Sequence, residues 1–297
     1  MARICLNVLV GIPASGKTTY CQQIAAFPNR TFKVVHVCYD TYIEIDRRFD
    51  DFCSEAGSYK MRRQTLLSSV EAIICAIKEG DSVTLNDLLS SWKQDFEHPL
   101  EISSCSVATE DYLFLIDDNN YYRSMRWDWA RMARKFSLGF FETYFAISLQ
   151  IALERNDKRK DPVSGDAIAR MWTRLEKPCK ELFPWEQNAN YIQGRLDKAS
   201  IFAKINQCLA NPEKLSETPS SVASPSMEQS DVHKLDILLR KAISKKMSLV
   251  KDSMAKEELK SYVDILQERK KFILEQMRQG EQNVPGELLP ALVEELF

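Results

Sequence analysis

No stretch of the 297-residue chain approaches the roughly 18 apolar residues that a membrane span needs. The first apolar segment, Ile4 to Val10, ends in Gly11-Ile12-Pro13 rather than at a small-residue cleavage site, so it reads as a buried strand and not a signal peptide. Histidine is scarce, at three, and the eight cysteines contain no C-x-x-C pair. That absence speaks against a zinc site or a disulfide frame and for reduced, buried thiols in a cytoplasmic protein. There is no excess of either charge: 40 Lys and Arg against 42 Asp and Glu leave a formal net charge of −2. A globally basic nucleic-acid binder is thereby excluded, and any such contact must come from a local patch. No internal repeat is visible, and a hydrophobic fraction of 44% leaves enough apolar material for a packed core.

Five apolar segments read as strands, at residues 4–10, 33–39, 112–117, 140–147 and 190–193. Their near-continuous apolar character suits strands covered on both faces. Helical periodicity lies between and after them, at 17–27, 59–78, 122–136, 150–158, 165–174 and 197–209. Alternating strand and helix predicts an α/β fold of three layers around a parallel sheet, joined by right-handed crossovers. Residues 1–210 form this domain. Residues 211–230, with three prolines and six serines, read as a flexible linker. The tail, 231–297, carries long amphipathic patterns broken near Ser253 and at Pro285-Gly286, which predicts a C-terminal appendage of two or three helices.

Gly11-Ile12-Pro13-Ala14-Ser15-Gly16-Lys17-Thr18, with Thr19 next, matches G-x-x-x-x-G-K-[ST] between a strand and a helix. The glycines let successive backbone N–H groups turn toward phosphate oxygens, and the helix presents its positive end to the same group. Lys17 is a point charge for the β- and γ-phosphates, and the Thr18 hydroxyl suits Mg²⁺. The loop implies ATP and Mg²⁺ but no acceptor. Absences narrow the choice: there is no N-K-x-D guanine-reading motif and no L-S-G-G-Q-like signature.

Three constellations point to a kinase. Asp40 follows the second strand, at the end where parallel sheets gather ligands, and can accept the proton of an attacking hydroxyl; it would equally cap a helix. Phe114-Leu115-Ile116-Asp117-Asp118 ends an apolar strand in two carboxylates, a Walker B pattern for Mg²⁺, with a solvated turn as the plainer reading. Arg155 and Arg159 are spaced i, i+4 after the fourth strand; on a helix both would face one way, as a lid over the phosphates or as a solvated face.

The run Asp117-Asp118-Asn119-Asn120-Tyr121-Tyr122-Arg123-Ser124-Met125-Arg126 resembles the seryl-tRNA(Sec) kinase family. The loop, Asp40, the Arg155/Arg159 pair and the segments Arg174-Leu175-Glu176-Lys177-Pro178 and Trp185-Glu186 fit the same family, over roughly residues 3 to 195. The sequence departs from archaeal members at Ile43, where they carry an arginine. The resemblance implies a P-loop kinase that phosphorylates the seryl group of seryl-tRNA(Sec). Tyr121 and Tyr122 would then stack on the terminal adenine, with Arg126 nearby, unless they pack in a core. Residues Arg240 to Arg278 hold 11 Lys and Arg against 6 Asp and Glu. Lys241, Lys245, Lys246, Arg269, Lys270 and Lys271 would grip the tRNA backbone, while Leu259, Val263, Leu266 and Ile273 would serve a homodimer instead. Two rival functions remain: an elongator-associated regulatory P-loop ATPase that binds tRNA, and a small-molecule P-loop kinase.

Overall fold

In the computed structural model, residues 2–43, 56–105, 109–194, 196–214, 231–250 and 256–279 are described. Every residue of β1 (Ile4–Val10) is buried, as a strand apolar on both faces requires. It pairs in parallel with β4 (Tyr112–Asp117) on one side and β5 (Gly139–Phe145) on the other. Beyond β4 lies β2 (Lys33–Cys38), also parallel. A short antiparallel strand, β3 (Glu101–Ser103), closes that edge, and β6 (Asn190–Ile192) extends the other in parallel with β5. The sheet order is therefore β3-β2-β4-β1-β5-β6.

Period-two alternation divides the core between the two faces of the sheet. On one face Cys5, Leu9, Val34, Leu113, Leu115 and Phe141 pack with Tyr20, Cys21 and Ile24 of α1 (Lys17–Ala25) and with Ile201, Ile205 and Leu209 of α8 (Lys198–Ala210). The approach of α8 is close: a Cβ on Gly139 would sit 2.5 Å from the Cys208 carbonyl oxygen, so only glycine fits there. Leu6, Val8, Phe114, Ile116 and Phe140 turn the other way and are equally buried. The remaining helices of this unit are α2 (Tyr39–Tyr42), α3 (Ala56–Glu79), α4 (Ser82–Phe96), α5 (Arg123–Phe136) and α6 (Leu149–Asn156). Among them α3 buries Leu66, Val70, Ile73 and Ile74, and α5 buries Trp129, Ala130 and Ala133. Truncating a core leucine such as Leu9 to alanine would cost about 2–5 kcal/mol.

The predicted elements are all present, with ends shifted by a few residues. Neither α4 nor β3 was expected. Asp81 caps α4, its carboxylate accepting from the amides of Val83 and Thr84, and the helix buries Trp92 and Phe96. The three residues of β3 are too few to show a period.

The chain divides into two compact units. The first comprises Met1–Asn120, Met125–Val163 and Lys177–Glu217; the second comprises Tyr121–Ser124, Ser164–Glu176 and Thr218–Phe297. The second unit thus takes in α7 (Gly165–Arg174) as well as the tail helices α9 (Asp231–Val250) and α10 (Lys256–Gln279). Leu235, Leu239 and Ile243 of α9 and Leu266, Ile273 and Leu274 of α10 are its buried apolar side chains. Most of the expected linker, 215–230, and the break at Pro285-Gly286 lie outside the described residues. No helix among the described residues is long and apolar enough to cross a membrane.

Candidate active site

Parallel strands deliver their carboxyl ends to one edge of the sheet, so residues far apart in sequence meet there. Gly11 follows β1, Asp40 lies in α2 directly after β2, and Asp117 and Asp118 end β4. Ala14 (φ 61°) and Gly16 (φ 104°) adopt left-handed conformations in the phosphate loop, which turn amides toward its concave side. The Gly11 amide donates to the Asn119 carbonyl at 3.0 Å. The Lys17 Nζ donates to the carbonyls of Gly11 and Ile12, at 2.9 and 3.0 Å, and to Asn119 Oδ1 at 2.9 Å. Burial lowers the Lys17 pKa, while Asp117, Asp40 and Asp118 work to restore it.

The three carboxylates differ in what they touch. Asp117 Oδ2 lies 3.1 Å from His36 Nε2. Burial alone would raise its pKa, but the His36 hydrogen bond, Lys17 and the Thr18 hydroxyl hold it below the ordinary value. Asp118 accepts from Arg63 of α3, whose guanidinium also lies over the Tyr39 ring, 4.5 Å from its centroid. Asp40 has no hydrogen-bond or ion-pair partner among the described residues. Asp40 is exposed, yet the groups around its carboxyl remove enough water to raise its pKa, and the charge of Asp118 raises it further. Cys38 stands at the N-cap position of α2 and Asp40 lies inside its first turn, so the capping role does not occupy this carboxylate.

An open cleft of about 1200 Å³ adjoins the loop, lined by Ala14, Ser15, Gly16, Thr19, Phe145, Arg155 and Arg159 among others. Both arginines reach it, although by a different route from the one predicted. Helix α6 ends at Asn156, and the Arg159 amide returns to the Asn156 carbonyl in a turn, so the pair does not share a helical face. Arg159 acts electrostatically on Lys17 and on Asp40.

Three residues expected at a tRNA surface are turned inward. Arg126 is 0% exposed: it donates to Glu142 Oε1 at 3.0 Å, Glu186 Oε1 at 2.6 Å and the Asn120 carbonyl at 3.1 Å. Tyr122 is buried and its hydroxyl donates to Asp236 Oδ2 at 2.9 Å. Lys270, 3% exposed, forms an ion pair with Asp236 Oδ1 at 2.8 Å. Each is turned toward a buried partner and away from solvent in this structure. Tyr121 packs on Tyr122, with ring centroids 4.4 Å apart. Lys241, Lys245, Arg269 and Lys271 remain exposed, and Lys246 is half-buried.

Sequence reasoning missed His36, Arg63 and the bracing role of Asn119. Asn119 stands within the D-D-N-N-Y-Y run and was legible as part of it. Arg63 lies on a helix remote in sequence, where nothing in the linear pattern marks it.

A family model described as chromatin associated protein KTI12 matches residues 106–283. L-seryl-tRNA(Sec) kinase of Mus musculus is 30% identical over 308 aligned positions, covering 93% of this chain and 85% of its own. The Homo sapiens protein of the same name is 30% identical over 281 positions, covering 83% and 78%. A solved structure, Chaetomium thermophilum Kti12 in complex with ADP-AlF3, is 17% identical and covers 69% of this chain and 98% of that one, with a TM-score of 0.47.

Proposed function

The chain belongs to the L-seryl-tRNA(Sec) kinase family and to the family that the KTI12 model describes, and from that premise we propose that this nucleotide-binding phosphotransferase moves the γ-phosphoryl group of ATP to the seryl hydroxyl of seryl-tRNA(Sec). The product is O-phosphoseryl-tRNA(Sec), an intermediate toward selenocysteine. The observation that carries the reading is Asp40: of the three carboxylates at this edge it alone lacks a partner among the described residues, while Asp117 has His36 and Asp118 has Arg63.

An unpaired carboxylate with a raised pKa is suited to take a proton from an alcohol as it attacks. Lys17 exchanges its bonds to the loop carbonyls for bonds to phosphate oxygens. Arg155 and Arg159, exposed and without a partner among the described residues, close on the charge that develops during transfer. The hard oxygen set of the Thr18 hydroxyl and the Asp117 carboxylate, which face one another, fits Mg²⁺. Mg²⁺ would neutralise charge on the β- and γ-phosphate oxygens. Thr18 and Asp117 would hold it, with Asp118 beside them and paired with Arg63. The exposed Lys241, Lys245, Arg269 and Lys271 of the second unit support a phosphate-backbone contact. The seven described cysteines are free, which supports a reducing, cytoplasmic setting.

The test is transfer of label from γ-labelled ATP to serylated selenocysteine tRNA, with serylated serine tRNA as control. Label on the first alone is the expected result. Label on neither sinks the proposal, and tRNA-stimulated ATP hydrolysis without transfer would favour a regulatory ATPase, the reading that the KTI12 match keeps open. Asp40→Ala should abolish transfer and leave ATP binding within a few fold.

A further inference from the structure

The sequence holds no C-x-x-C pair, but the fold assembles a set of ligands that the sequence scatters. Cys21 of α1, His36 of β2 and Asp117 of β4 each offer one ligand atom, and these atoms lie within 4.8 Å of one another. We propose that they form a second cation site, for zinc or a similar borderline-soft divalent metal, beside the magnesium position and sharing Asp117 with it.

The donor chemistry separates the two positions. Thr18 and Asp117 offer only hard oxygens, whereas thiolate, imidazole and carboxylate together are a zinc set of three protein ligands with a fourth position open. Two features of the geometry favour occupancy. His36 already aims Nε2 at Asp117, 3.1 Å away, and its other ring nitrogen, Nδ1, lies 3.6 Å from the Glu101 carboxylate on β3. A carboxylate behind the distal nitrogen is the arrangement that orients a metal-binding histidine and increases its basicity. Cys21 and Asp117 are 1% and 4% exposed, so the ligands are held by the core around them. Thr18, against Asp117, is exposed and leaves a route in from the phosphate loop.

Binding requires the Cys21 thiol to give its proton to solvent, so affinity rises with pH. Because zinc held by Asp117 draws that carboxylate away from the magnesium position, zinc here inhibits phosphoryl transfer. That consequence rests on the kinase reading; the site itself does not.

The site is tested on the full-length, chelator-stripped protein by adding cobalt(II), with no nucleotide or tRNA present. One equivalent should produce a thiolate-to-cobalt charge-transfer band that zinc then abolishes. Cys21→Ser should lose the band, and His36→Gln should bind about 10–100-fold more weakly. Zinc should inhibit transfer by the wild type, a chelator should restore it, and Cys21→Ser should retain magnesium-dependent activity while losing zinc sensitivity. No band, or an undiminished band in both variants, overturns the proposal. Circular dichroism identifies a variant that has not folded, in which case the other variant decides. The cobalt readout needs no phosphate acceptor, so its failure is distinct from a failure to phosphorylate tRNA.

Discussion

In the first unit one guanidinium lies between two carboxylates: Arg126 between Glu142 and Glu186. In the second unit the arrangement is inverted. One carboxylate, Asp236, takes Arg240, Lys270 at 2.8 Å and, more distantly, Arg174 at 3.7 Å, with the Tyr122 hydroxyl as a fourth partner. The two clusters differ in access to water. Arg126, Glu142 and Glu186 are all 0% exposed, whereas Arg240 is 36% and Arg174 15% exposed. A charge that loses its ionic partner in the first cluster cannot turn to water, but two of the cations in the second can turn outward. The first cluster also acts at the site, since Arg126 holds the Asn120 carbonyl next to Asn119, the residue that bonds Lys17. The second binds together α7, α9, α10 and the Tyr121–Ser124 segment.

The comparison breaks most visibly at Arg126. Arg126→Met should cost about 3–5 kcal/mol, because Glu142 and Glu186 are left in the core without their shared cation. Urea unfolding followed by fluorescence measures it. A loss below about 1 kcal/mol would mean that the carboxylates find other solvation, and the contrast between the clusters would disappear. Adding Glu142→Gln and Glu186→Gln to Arg126→Met sharpens the point. The triple variant should recover much of the loss, since neutral amides carry no uncompensated charge; no recovery would assign the effect to shape and packing.

Asp236→Asn should cost less, about 1–3 kcal/mol, and locally. Amide hydrogen exchange should accelerate in residues 164–176 and 231–279 and stay unchanged in the sheet. The same cluster gives an acid limb. Burial opposes the Asp236 charge, but Arg174, Lys270 and Arg240 hold its pKa well below the ordinary 3.8. A carboxyl depressed in the folded state contributes stability that is complete above pH about 4 and lost as pH falls through the folded value. Lys270 titrates elsewhere: burial brings it to about 8, below its ordinary 10.5, so it adds nothing to the acid limb. The second unit should therefore lose protection on acidification, and Asp236→Asn should remove that dependence. An acid limb of equal size in Asp236→Asn would assign it to another carboxylate.

These clusters also show where the linear pattern was legible and where it was misread. Burial on both faces wrote β1, β2, β4 and β5 as apolar runs, and the loop after β1 carries its chemistry in its own residue types. Helix α4 was missed, although Leu85, Leu88, Trp92 and Phe96 keep helical spacing behind the Asp81 cap. Arg126 was expected at a tRNA surface from the run that carries the family resemblance, and Lys270 from the basic cluster Arg269-Lys270-Lys271. Their positions say otherwise: Arg126 shares a stripe with Trp129, Ala130 and Ala133, and Lys270 with Leu266 and Ile273. A charge at the apolar phase of a helix points inward, and must then be met by an opposite charge. The partners themselves, Glu142, Glu186 and Asp236, are set by tertiary pairing and leave no local period. The same holds for Arg63 at Asp118 and for His36 at Asp117.

The smallest expected effect separates the two roles that the tyrosine pair allows. Tyr122→Phe keeps the ring and its contact with Tyr121 and removes only the hydroxyl that donates to Asp236, 2.9 Å away. A single hydrogen bond in this setting is worth about 1 kcal/mol. The expected outcome is a loss of that size, seen in the second unit by hydrogen exchange, with tRNA affinity changed only in proportion to stability. If Tyr122→Phe leaves stability intact and weakens tRNA binding, the ring and hydroxyl contact the nucleic acid after all, and the Asp236 cluster closes without them. If it costs as much as Asp236→Asn, the hydroxyl carries the cluster, and the three cations are held by Asp236 less firmly than their distances imply.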